Sequence, residues 1–148
     1  MSAISPKVES FFSPKNLTYP LSTQALFEKA IQKNPKEEDL RLFEKVLHRR
    51  KDVHIRQDQM LRFASLVGSE KVIKILLDAG ANLHVLNDAP FHIAVCYERI
   101  SVIKLLLDYG ANVNSRNFEA IKVAFDRKNK VLLKLLQDYG ADLSILII

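Results

Sequence analysis

Self-similarity at a spacing of thirty residues is the feature that most constrains this chain. Asp78-Ala79-Gly80-Ala81-Asn82-Leu83-His84, Asp108-Tyr109-Gly110-Ala111-Asn112-Val113-Asn114 and Asp138-Tyr139-Gly140-Ala141-Asp142-Leu143-Ser144 recur at that interval. The same register aligns Val72-Ile73-Lys74-Ile75-Leu76-Leu77 with Val102-Ile103-Lys104-Leu105-Leu106-Leu107 and Leu132-Leu133-Lys134-Leu135-Leu136-Gln137. A period of this size marks an array of small units, none able to bury its apolar face without its neighbours.

Each unit reads as two short helices and an extended finger. Ile73, Leu76 and Leu77, or Ile103, Leu106 and Leu107, define the core face of the second helix, with Lys74 or Lys104 left to water. Gly80, Gly110 and Gly140 follow these runs, where a helix ends on a residue of positive φ. A shorter first helix is expected over 59–67, 89–97 and 119–127, with Ala64, Ala94 and Ala124 at one register position where a small side chain lets helices approach. Repeats are expected at 52–80, 81–110 and 111–140, then a partial finger at 141–148. Upstream, residues 24–31 and 40–47 read as amphipathic helices, the second in register with 72–77. Residues 22–51 are therefore expected to form a degenerate, charge-rich capping unit, with Pro35 starting or preceding its second helix. Residues 1–21 are expected to be an irregular tail, or a docking arm, since Phe11, Phe12, Leu17 and Tyr19 are costly to expose.

These residues resemble the ankyrin-repeat family. Ala89-Pro90-Phe91-His92-Ile93-Ala94 matches its TPLHLA signature at Pro90, His92 and Ala94, and Gly110-Ala111-Asn112-Val113 matches its closing motif. The resemblance implies an all-α fold, a solenoid of stacked helix-turn-helix units with short fingers. It also implies a non-enzymatic protein-protein interaction module or adaptor. The period of thirty instead of the family's thirty-three implies stubby fingers, the missing residues falling between His84 and Asp88. Arg62 and Lys122 stand where His92 does, which puts the family's inter-repeat bonding through that His in doubt outside one repeat. Glu98 and Lys128 stand where Gly68 does, a costly choice if φ is positive there. Thirty-residue repeats of this pattern are similar to those encoded by giant DNA viruses of amoebae.

Other chemistries find little in the residues. The four glycines all serve the repeat, which leaves no phosphate-cradling loop, and Cys96 is the single cysteine, so no internal disulfide or paired-cysteine metal site can form. An intracellular home is expected on that ground. His54 and His84 occupy equivalent fingers one repeat apart, too far to share a tetrahedral ion. No catalytic residue, cofactor, metal or membrane segment is expected.

In the family, partners dock on the concave face of fingers and first helices. That rule selects Arg56, Asp58 and Val67 in the first repeat, Asn87, Asp88 and Tyr97 in the second, and Arg116, Phe118 and Arg127 in the third. Tyr97, Phe118 and Arg127 are the favoured anchors, since aromatic and Arg side chains combine large buried area with a polar handle. An alternative function is nucleic-acid association through Lys29, Lys33, Lys36, Arg41, Lys45, Arg49, Arg50 and Lys51, because residues 1–51 hold ten Lys/Arg against six Asp/Glu. The apolar end, Ile145, Leu146, Ile147 and Ile148, is expected to fold back on the last helix or to pair with another chain as an edge strand.

Overall fold

The computed structural model describes residues 21–50 and 52–147. Among them are eight α-helices and no strand. In chain order these are α1 (Leu21–Ala30), α2 (Glu37–Arg50), α3 (Ile55–Val67), α4 (Glu70–Asp78), α5 (Val85–Cys96), α6 (Ile100–Asp108), α7 (Ser115–Asp126) and α8 (Lys130–Asp138). Short 3-10 turns at Asp52–His54 and Leu143–Leu146 flank the repeats. The stretch 1–20, with the expected tail and its Phe11, Phe12, Leu17 and Tyr19, lies outside the described residues, as do Lys51 and Ile148.

The array is a stack of helix pairs. First helices pack in sequence, α3 on α5 and α5 on α7, while each second helix packs on the first helix of its own pair. Ala64, Ala94 and Ala124 are fully buried between them, together with Ile73, Leu76, Ile103, Leu106, Ile121, Leu132 and Leu136. The α1–α2 pair joins this core through aromatic contacts: Phe27 lies 5.6 Å from Phe43 and 6.0 Å from Phe63, ring centre to ring centre. Pro35 precedes α2.

The second helices of the three repeats end the same way. Ala81 N–H donates to Leu76 O at 2.9 Å and Gly80 N–H to Leu77 O at 3.0 Å, and the pattern repeats at Ala111/Gly110 and Ala141/Gly140. This double closure requires a left-handed residue, supplied by Gly80, Gly110 and Gly140 at φ 96°, 101° and 86°. The first helices close on the same left-handed position, with glycine only in the first repeat: Gly68 has φ 90°, whereas Glu98 and Lys128 take φ 53° and 54°. Positive φ is thus imposed on two residues that resist it.

The fingers are not extended. Arg56-Gln57-Asp58, Leu86-Asn87-Asp88 and Arg116-Asn117-Phe118 each run three residues in the left-handed region, with φ between 50° and 62°. Such a run costs about 1–2 kcal/mol per residue. Three missing residues per repeat leave no room for an extended hairpin, so the chain reverses in one left-handed turn before the right-handed part of each first helix.

Candidate functional site

The finger turns persist because their polar groups are collected. Arg62 donates from Nε to Gln57 O at 3.0 Å and from Nη2 to Arg56 O at 2.9 Å. Lys122 Nζ donates to Asn117 O at 2.9 Å. His92 stands at the same register but faces inward, and Arg116 of the following finger reaches back instead, from Nε to Asn87 O at 3.1 Å and from Nη2 to Leu86 O at 2.8 Å. One cation therefore holds each turn, from whichever element can reach it.

Below the turns lie two buried acids, each against an exposed histidine. Asp58 and Asp88 are buried; their Oδ1 atoms lie 3.0 Å from His54 Nδ1 and 2.7 Å from His84 Nδ1. Asp58 Oδ1 also accepts from Asn82 N–H of the next repeat at 2.9 Å. The outward role expected of Asp58 and Asp88 thus gives way to a structural one, because the left-handed turn rotates their carboxylates beneath the finger. Phe118 takes the place of these acids in the third repeat and packs partly buried against the core.

His92 Nε2 sits 2.7 Å from Ser115 Oγ, and its Nδ1 lies 3.3 Å from Glu119 Oε2, off the hydrogen-bond direction. The inter-repeat bond through His92 is therefore present, made to a side chain. Burial first, then the positive charge of Arg116, hold its pKa below the ordinary 6.5, against the opposing pull of Glu119 and Asp88. The order Ser, His, Glu is that of a nucleophile relay. Ser115, however, is buried beneath the histidine, and the arrangement acts as a strut between repeats.

The nine residues expected to form one face divide between the two ends of the first helices. Arg56, Asp58, Asn87, Asp88, Arg116 and Phe118 stand at the finger end. Val67, Tyr97 and Arg127 stand at the far end, nine residues along a helix and so about 13 Å away. Tyr97 is 52% exposed. Arg127 Nη1 donates to Cys96 O of the preceding repeat at 2.7 Å, and Arg99 clamps Leu66 O in the same way at 3.0 Å. Val67 is partly buried against the core and lines two clefts at the turns between paired helices, which none of the other eight residues line. Of the nine, Arg56, Asn87, Tyr97, Arg116 and Arg127 are exposed. Sequence reasoning missed Arg62 and Lys122 as finger residues; their register with His92 was the available signal.

Two other expectations take definite positions. Lys29, Lys33, Lys36, Arg41, Lys45 and Arg49 are exposed, but so are Glu28, Glu37, Glu38 and Glu44 on the same helices, which gives a mixed surface. The C-terminal segment forms a 3-10 turn and not an edge strand; Leu143, Ile145 and Leu146 pack partly buried against the core, while Ile147 is 82% exposed.

Comparison with curated proteins gives no match. A family model described as ankyrin repeats in three copies matches residues 27–117 and 60–146. With stacked helix pairs and fingers along most of its length, the chain belongs to the ankyrin-repeat family.

Proposed function

We propose that this protein is a non-enzymatic adaptor that binds a partner protein on its concave face. Ankyrin repeats in general mediate protein-protein interactions, which gives the class; the partner and the adaptor role are this reading's own. One observation carries it. Three consecutive finger turns share one backbone geometry, with φ of 51°, 50° and 51° at Arg56, Leu86 and Arg116, and each is pinned by a cation. A surface so fixed spends little ordering entropy on binding. The reading includes an intracellular setting, and the shortened fingers accord with an origin among viral repeat families. Among the described residues no helix is long and apolar enough to cross a membrane.

The test is an affinity pulldown from lysate of the protein's own cell or host, at physiological and then high salt. A discrete protein lost when Arg56→Glu is combined with Leu86→Ser, in a variant of unchanged melting temperature, supports the reading. Recovery of salt-sensitive nucleic acid alone overturns it and moves function to α1 and α2.

A specific feature also favours self-association through the C-terminal end. Phe125 is 52% exposed, whereas Val95, its equivalent one repeat earlier, is 1% exposed beneath the following repeat. Ile147, 82% exposed, is a second bare apolar side chain on the last repeat, and a second copy would cover both. Sedimentation of the protein and of a Phe125→Lys, Ile147→Lys variant decides this: a concentration-dependent dimer must disappear in the variant.

A further inference from the structure

The cations that hold the fingers also mark out a kind of partner. A carbonyl ligand fixes a guanidinium or ammonium group without neutralising it, so Arg62, Arg116 and Lys122 place one held positive charge at each of three successive finger turns. The acids nearby offset the row only at its second turn. Asp58 and Asp88 lie beneath the turns against His54 and His84, whereas Glu119 pairs with Arg116, Oε2 3.8 Å from Nη1, and leaves Arg62 and Lys122 without a paired carboxylate among the described contacts. Arg56 adds a further exposed cation at the first turn, and Leu86, 47% exposed, adds an apolar contact at the second.

Resting on the concave-face reading above, we infer that this row recognises an acidic, extended segment of a partner protein, with carboxylates at every third residue. Packed helices sit about 8–10 Å apart, and an extended chain rises about 3.3 Å per residue, so three residues span one repeat. The held side chains lose little freedom on binding, and the opposite charges steer the encounter. The exposed Leu86 and the Glu119 carboxylate paired with Arg116 fit a polypeptide of mixed character better than a uniform chain of phosphates.

The experiment titrates the full chain with a fluorescein-labelled ten-residue peptide carrying Glu at every third position among Gly and Ser. The same composition with its Glu residues in one block and a single-stranded oligothymidine serve as comparisons. The spaced peptide is expected to bind about tenfold more tightly than the block, and to weaken as salt rises from low to physiological strength. Arg62→Gln, Arg116→Gln and Lys122→Gln should each lower its affinity several-fold. Because these side chains also hold the turns, Arg62→Lys and Lys122→Arg are made alongside, and retained affinity in them assigns the effect to charge. Equal binding of spaced and block peptides overturns the proposal, as does tighter binding of the oligothymidine through the same side chains. A lysate partner lost with Leu86→Ser yet indifferent to Arg116→Gln and Lys122→Gln would refute the acidic segment while leaving the concave face standing.

Discussion

Lys128 and Glu98 occupy the left-handed closing position that Gly68 fills in the first repeat, and the three do not bear the same cost. At φ 54° the Lys128 Cβ opposes the following carbonyl. Lys128→Gly is therefore expected to stabilise the fold by about 1 kcal/mol, read as a shift of the denaturation midpoint. Glu98→Gly should gain less, because Glu98 Oε1 accepts from Asn129 Nδ2 at 3.0 Å. The reverse change, Gly68→Ala, is doubly unfavourable: φ is 90° and a new Cβ would lie 3.1 Å from Arg99 Cδ. His92 supplies a second residue-scale prediction. Its pKa is lowered in the folded chain from 6.5, so just below that pH the unfolded chain binds more protons and stability must fall as pH falls. Melting temperature is expected to drop from pH 7 towards pH 5, with a shallower slope in His92→Gln; an unchanged slope in that variant would remove His92 as the cause.

Among the elements, the helix ends were legible in the sequence and the fingers were not. Gly80, Gly110 and Gly140 could be placed because the double closure of a helix needs a left-handed residue after an apolar run, and both signals are local. The three-residue left-handed turns carry no such signal. Leu86, Arg116 and Phe118 are residues that avoid positive φ, and they adopt it because the shortened connection leaves no other path. With the turn unread, Asp58 and Asp88 were expected to face out. Their histidine partners at i−4 become neighbours only through that backbone. Arg116 and Arg127 read as surface cations for a similar reason: each holds a carbonyl about thirty residues earlier, a contact invisible without the stack. The first helices were legible through Ala64, Ala94 and Ala124, which are fully buried where α3, α5 and α7 meet. Ala94→Leu is expected to destabilise by about 1–3 kcal/mol, since the added methylenes have two packed helices to displace. A thermal melt checks it, and an unchanged midpoint would show that α3 and α7 can part.

For the whole molecule, stability follows from position in the stack. Each helix pair contacts only its neighbours, so the free energy behaves as a sum of unit and interface contributions. Ile103 and Leu133 occupy the same register in successive second helices, yet Ile103 is fully buried and Leu133 only partly so, because among the described residues only the 3-10 turn follows the last pair. Ile103→Ala should cost about 2–5 kcal/mol and lower the midpoint of one cooperative transition, since it opens the centre of the array. Leu133→Ala should cost roughly half as much. Its effect should also be local: amide exchange in α7 and α8 would speed up while α3 to α6 stay protected, because the last pair can open without breaking the interfaces before it. Equal costs, with uniform loss of protection in both variants, would mean that the array unfolds as one unit and that the C-terminal end is no weaker than its centre.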